Sequence, residues 1–312
     1  ESLGGEGTTE KPFLIGSGAD LKLLSASYGN EKYTNKVFAL TADINLNDKA
    51  WTPIGTSGTL FTGTFDGKSH AITGMRVEGT NYLGLFGVIK ATVKNLTVVG
   101  VVTGEKGIDG ILAGQIQGGS TISGVTTKGS VTGGGSDVGG IAGDIKLGTG
   151  SVTVSDCVNY ATITCTSGET ALAGGITGGT DTLAVTIKNC VNYGNVTSNG
   201  KFVGGIVGLL RKPNDSLVEN CKNFGNITGK TETGGIVGAN RGIVKTSYCY
   251  KDALINNKAA STYDLVGITT KKPVTGTIST GSIIGQLDDN NGGTIEKSSC
   301  GLCDAEGNAI GV

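Results

Sequence analysis

Histidine is almost missing. His70 is the only one in 312 residues, so any metal site that needs two imidazoles is excluded. A Ser-His-Asp site would have to use it. It lies in Asp66-Gly67-Lys68-Ser69-His70, which reads as a tight turn running into a strand from Ala71 to Met75. No apolar run approaches the roughly 18–20 residues of a membrane-crossing helix, so no membrane insertion is expected. No sign of charge prevails either: 25 basic residues face 26 acidic ones. That balance argues against a nucleic-acid partner and against electrostatic attachment to anionic lipid. The chain opens at Glu1 without a basic n-region or an apolar h-region, so any export signal is expected to be already removed or never present. Cysteine is absent from the first half. The seven cysteines (157, 165, 190, 221, 249, 300 and 303) are odd in number, unlike a disulfide framework.

Proline is scarce, at 4 residues, whereas glycine is abundant, at 56. Many short Val, Ile and Thr runs cut by Gly and Asn read as strands and turns. With 37% hydrophobic residues the chain can bury a core and is not simply disordered.

An internal repeat organises these runs. One block recurs as Gly84-Leu85-Phe86-Gly87, Gly110 to Gly114, Gly140-Ile141-Ala142-Gly143, Gly175-Ile176-Thr177-Gly178, Gly205-Ile206-Val207-Gly208, Gly235-Ile236-Val237-Gly238 and, weaker, Gly281 to Gly285. The closing glycines step by 27, 29, 35, 30, 30 and 47 residues. A second block follows each: VKNLTV from Val93, ISGVTT from Ile122, VSDCVNYATIT from Val154, IKNCVNYGNVT from Ile187 and VENCKNFGNIT from Val218, then decayed copies from Val244 and Ile295. About thirty residues is too short for a propeller blade, and no helical segment accompanies the repeat. It suits a coil of two or three short strands. Stacking coils about 4.8 Å apart pairs each strand with its copy in the next, and only the stack has a core. Roughly ten such coils make a rod on the order of 50 Å long. The fold class is therefore all-β, a single-stranded right-handed parallel β-helix. Ser17 to Ala26 reads as a short amphipathic helix capping the N-terminal end. One domain is expected over 1–312: cap and first coils to 60, regular repeats over 61–250, and degenerate last coils with a C-terminal cap over 251–312. Asn256-Asn257-Lys258 and Lys271-Lys272-Pro273 read as loops on those last coils.

Columns through the second block give its residues their roles. Asn95, Gly124, Asp156, Asn189, Asn220 and Thr246 form a bend column, since five of the six tolerate the left-handed conformation a corner needs. The next column, Leu96, Val125, Cys157, Cys190, Cys221 and Ser247, is small to medium and mostly apolar, hence inward. Cys157, Cys190 and Cys221 are then core hydrophobes. Parallel strands give three stacked thiols no tetrahedral cage, so no metal is assigned. Cys300-Gly-Leu-Cys303 is a lone C-x-x-C, and a local disulfide there is left open. Two residues on, Asn159, Asn192 and Asn223 must pair coil to coil as an amide ladder if they face inward. Alternation then turns Tyr160, Tyr193 and Phe224 outward, with Tyr248 and Tyr250 near the continuation. Tyr160, Tyr193, Phe224 and Tyr248 are the candidate ligand-binding residues, a platform for sugar rings or a partner protein. The alternative is that these rings stack on one another and only stiffen the rod.

The Gly blocks, read as LGLFG (83–87), VGGIAG (138–143), AGGITG (173–178), VGGIVG (203–208) and TGGIVG (233–238), resemble the GLUG-motif repeats of bacterial exported proteins, including parts of large surface peptidases. KPFLIGSGADLKLL (11–24), FALTADINL (38–46), WTPIG (51–55) and FTGTFDGKSHAITGM (61–75) resemble the N-terminal region of secreted or surface β-helix proteins of gut Bacteroidetes. The resemblance covers roughly residues 10–250. It implies an extracellular or outer-membrane location and an adhesin role, and it transfers no catalytic residue.

No catalytic constellation emerges otherwise. Acids such as Asp109, Asp137, Asp144 and Asp181 read as scattered at turns, and arginine is limited to Arg76, Arg211 and Arg241. Asp288-Asp289-Asn290-Asn291 reads as an exposed turn, and the Asn-x-Thr sites at Asn195 and Asn226 follow the repeat. The Gly blocks lack the Asp that calcium-binding β-rolls require. The leading expectation is a monomeric, cofactor-free surface binding or adhesion module for a glycan or surface protein. A β-helix polysaccharide lyase or hydrolase and a passive spacer within a larger surface protein are the alternatives.

Overall fold

The computed structural model describes residues 2–168, 170–212, 215–270 and 277–311; Lys271, Lys272 and Pro273 lie outside them. Consecutive coils pair in parallel register along nearly the whole chain. One ladder passes through Phe13, Phe38, Phe65, Val93, Ile122, Val154, Ile187, Val218, Val244 and Ile295. Every member before Ile295 is buried. The architecture is all-β, a parallel solenoid of about seven turns with one short helix near its N-terminus. The ten rungs of the ladder match the roughly ten coils anticipated, but the first three lack the strand that closes the later turns, which leaves about seven complete ones. This closing strand first occurs as an isolated bridge at Leu83. It continues as a six-stranded parallel sheet from Ile108–Gly110 to Ser279–Gly281.

The corners are made where the bend column lies. Asn95, Gly124, Asp156, Asn189, Asn220 and Thr246 all have φ between 49° and 62°. A left-handed residue turns the chain sharply, and Asn, Asp and Gly adopt that conformation at least cost. Helix α1 (Gly18–Ser27) starts at Ser17, whose hydroxyl accepts from the Asp20 amide at 3.2 Å, and it buries Leu21 and Leu24 against the first coil. Phe38, Phe61, Phe65 and Phe86 fill the core beneath it, with centroids 4.7–6.4 Å apart. Later coils are filled by Ile, Val and Cys.

The repeated Gly-Gly pairs have a steric cause. A Cβ on Gly175 would lie 2.1 Å from the Gly205 carbonyl oxygen and 2.3 Å from Cγ of Asn192. Gly205 stands in the same relation to Gly235 and Asn223. Each of these glycines thus lies against the carbonyl of its counterpart in the next coil and against the buried Asn across the core of its own coil, where no Cβ fits. Beyond this pair the closing strand folds back, so that Leu172 and Phe202 meet Leu209 and Ala239 in a small cluster separate from the main core.

At the far end, Asn256 and Asn257, both at positive φ, form the turn of an antiparallel hairpin pairing Leu254 with Ala259. A second hairpin pairs Gly301–Cys303 with Ala309–Ile310. Such hairpins cover an open strand edge that would otherwise recruit other chains.

Candidate functional site

Each regular coil carries a three-residue step that places one side chain inward and the next outward. Val158-Asn159, Val191-Asn192 and Lys222-Asn223 stand in register. The Asn side chains are fully buried and joined rung to rung. Thr127 Oγ1 donates to Asn159 Oδ1, Asn159 Nδ2 to Asn192 Oδ1, and Asn192 Nδ2 to Asn223 Oδ1, each at 2.9 Å. Each Nδ2 also donates to the carbonyl two residues on, and each Oδ1 accepts that residue's amide. All four hydrogen-bonding positions of each amide are used, which is the condition for burying it.

This ladder fixes where the aromatics point. Tyr160 and Tyr193 are 49% and 45% exposed, and Phe224 is half-buried. Tyr160 and Tyr193 stack at 4.9 Å with 7° between planes; Tyr193 and Phe224 stack at 5.0 Å and 12°. Lys128 Nζ lies 5.4 Å from the Tyr160 centroid. The stack continues to Tyr250, tilted, at 6.0 Å from Phe224. Tyr248 does not belong to it: it pairs with Lys222 in the neighbouring column. Asp252 accepts from the Tyr250 hydroxyl and holds its pKa above the ordinary tyrosine value. Tyr193 is covered on both faces, so the stack presents ring edges and hydroxyls rather than an open ring face.

Beside the stack runs a row of outward threonines in register: Thr103, Thr132, Thr164, Thr197 and Thr228. Between the two rows, Asn195 and Asn226 each accept the backbone amide of the next coil, from Asn226 and Leu254 respectively. The result is an outer strip in which an aromatic and a threonine recur over three successive coils, with an amide between them in the last two.

The other anticipated positions are structural. Cys157, Cys190 and Cys221 are buried in the main core, and all seven cysteines are free thiols, Cys300 and Cys303 included. Burial pushes the Cys249 thiol up to about 12 and that of Cys303 up to about 11. His70 Nδ1 lies 3.1 Å from Asp43 Oδ1, which also accepts the Ala71 amide. That pairing ties a turn to the preceding coil. Among the described residues no group of three His, Cys, Asp or Glu could hold a metal, and no helix is long and apolar enough to cross a membrane.

The acids depart from the sequence reading. Asp109, Asp137 and Asp144 are buried on strands rather than scattered at turns. Asp109 is fully buried, and among the described residues neither oxygen has a hydrogen-bond partner in good geometry; burial pushes its pKa up to about 7, against a weaker pull from the nearby Leu83 amide. Asp289–Asn291 form the exposed turn anticipated, but Asp288 ends the strand before it. Asp288 is buried, 3.0 Å from Arg241 Nε, and accepts from the Asn291 side chain. Arg241 joins Arg211, Lys212, Asp181, Thr182 and Asn291 around a cavity of about 420 Å³. A second cavity, about 470 Å³, lies between α1 and residues 45–52.

Comparison with solved structures decides the fold. A chain from Bacteroides ovatus, provisionally described as an immunoglobulin A1 protease, superposes with a TM-score of 0.74 over 97% of this chain and 87% of its own, at 24% identity. The two share one solenoid fold. No protein-family model matches this solenoid. A relative from Evansella cellulosilytica, provisionally named a Gly-rich membrane protein, is 36% identical over 124 residues, 37% of the solenoid and 14% of that protein. Halomucin of Haloquadratum walsbyi is 31% identical over 172 residues, half of the solenoid and 2% of halomucin. The solenoid thus spans a small fraction of the length of the curated relatives it matches.

Proposed function

We propose that this chain is a bacterial cell-surface module that binds a glycan along the Tyr160–Tyr193–Phe224 strip. The observation that carries the reading is the exposure of that aromatic stack beside an in-register row of Thr, with Asn195 and Asn226 between them. Large aromatic edges next to hydroxyl and amide groups match the mixed apolar and polar surface of a sugar chain. A polymer laid along the axis meets an aromatic edge and a threonine hydroxyl on three successive rungs, so weak contacts add up. The names of the matched relatives, a membrane protein and halomucin, support a location at the cell surface. Asp109, Asp137 and Asp144 are buried, so none of these carboxylates is presented on the strip, which favours binding over cleavage.

The test is a panel of host and plant polysaccharides scored for both retention and chain cleavage. The protein is expected to retain at least one without shortening it. Tyr193→Ala is expected to weaken that retention about tenfold, the equivalent of about 1.4 kcal/mol, while costing only about 1 kcal/mol of stability through lost stacking. Cleavage of the retained polymer would overturn the reading, as would retention unchanged in Tyr193→Ala. Capture of a host protein but of no glycan would move the same strip to protein adhesion.

A further inference from the structure

The fold-back of the closing strand brings together three charged side chains that no part of the binding strip uses. Asp137 lies on the closing strand, in register with Leu172 of the next coil. Asp144 lies on the facing strand, in register with Gln115 below and Gly179 above. Lys146, two residues further on, reaches back between them. Its Nζ stands 2.6 Å from Asp137 Oδ2 and 3.6 Å from Asp144 Oδ2. The carboxyl groups are 3% and 1% exposed and the lysine side chain 24%. Neither Asp144 oxygen meets a hydrogen-bond donor in good geometry among the described residues. The nearby Gln115 amide oxygen is occupied by Gln117. The pair occupies the same two columns that carry Leu172, Phe202, Leu209 and Ala239 in the following coils, so apolar packing closes it on that side.

An amine in contact with one buried carboxyl, and a second buried carboxyl beside both, is the arrangement needed to condense the first two. We propose that Lys146 and Asp137 form an intramolecular isopeptide bond, with Asp144 as the proton-transfer group. Burial disfavours the separated charges, and a short move of the shared proton from Nζ to Asp137 gives a neutral amine facing a neutral acid. Nζ then attacks Cγ of Asp137. A C–N bond forms, the bond from Cγ to its hydroxyl breaks, and one water leaves. Nothing is oxidised or reduced. Protonated Asp144 donates to the Asp137 carbonyl oxygen, passes its proton to the departing hydroxyl and takes one back from nitrogen, so it ends unchanged. Burial, followed by repulsion from Asp137, pushes the Asp144 pKa up to about 7, which keeps that proton available near neutrality. The two acids hold the Lys146 ammonium charged against the opposing effect of burial, so the step runs through a minor neutral pair. A reaction that each molecule performs once can be slow. The product ties the closing strand covalently to its neighbour within one coil, and it stands independently of the glycan reading.

The experiment is intact-mass measurement and tryptic mapping of the purified full chain. The expected mass is short by one water, and trypsin is expected to fail at Lys146, giving one peptide over 129–188 instead of two. Lys146→Arg preserves the charge but cannot make this bond, so it is expected at full mass. Dehydration persisting in Lys146→Arg would mean a cyclised aspartate and overturn the proposal. Full mass and normal cleavage in the parent protein would overturn it as well. Asp144→Asn, checked for folding by its melting curve, is expected at full mass; dehydration at the parent level would remove Asp144 from the reaction.

Discussion

Asn192→Ala is expected to destabilise the protein by about 4 kcal/mol, read as a fall in the urea midpoint at unchanged slope. The substitution removes the middle rung of the amide ladder. Asn192 accepts from Asn159 and from the Gly194 amide, and donates to Asn223 and to the Gly194 carbonyl. All four partners are buried and none can turn to water. Leaving a buried polar group unpaired costs about 1–3 kcal/mol, and a network loses more than one pair's worth when its centre is removed. Asn195→Ala is the control. Its side chain is exposed and accepts one backbone amide, so its loss is expected to cost under about 1 kcal/mol. Equal effects from the two substitutions would mean that the ladder is not what holds the coils in register.

Asp109→Asn is expected to stabilise the protein at pH 8 and to flatten its pH dependence. The Asp109 carboxyl titrates near 7 in the folded protein, against an ordinary value of 3.8, because burial disfavours its charge. The folded state therefore holds a proton that the unfolded chain releases. This group's contribution is fully present below about pH 4, is lost progressively as pH rises, and is gone above about pH 7. A shift of that size is worth up to about 4 kcal/mol. The uncharged amide keeps the shape without the ionisation cost. Melting curves between pH 4 and 8 check both statements. A parent protein that becomes more stable over that rise, with Asp109→Asn no different, would contradict them.

Much of the architecture could be read from the chain because the coils repeat their chemistry where the geometry repeats. A corner needs a left-handed residue, so Asn95, Gly124, Asp156, Asn189 and Asn220 stand out as a column. The buried amides have to pair with their own kind, which makes Asn159, Asn192 and Asn223 visible as one. The acid cluster was hidden by the opposite circumstance. Alternation along Asp137-Val138-Gly139 and Asp144-Ile145-Lys146 assigns the charged residues to the outside, and in each strand that is correct. The reversal through Gly139, Gly140 and Ile141 then folds one outer face onto the other, and nothing in the strand pattern announces it. Register was lost where a marker residue changed. Cys249 stands in the column of Asn223, so the aromatic that follows the marker is Tyr250, although Tyr248 comes nearer in the sequence. Arg211 and Arg241 meet around one cavity only through coil-to-coil stacking, which variable coil lengths conceal.

The relation between strip and ligand can be measured directly by hydroxyl-radical footprinting of the protein with and without the retained polysaccharide. Tyr160 and Tyr193 are exposed enough to be oxidised in the free protein, and buried Tyr33 serves as an internal reference. If the strip is the binding surface, the ligand protects Tyr160, Tyr193 and Phe224 severalfold and leaves Tyr28 beside the N-terminal helix unchanged. Undiminished oxidation of Tyr160 and Tyr193 in the saturated complex would contradict it and place the ligand elsewhere on the solenoid.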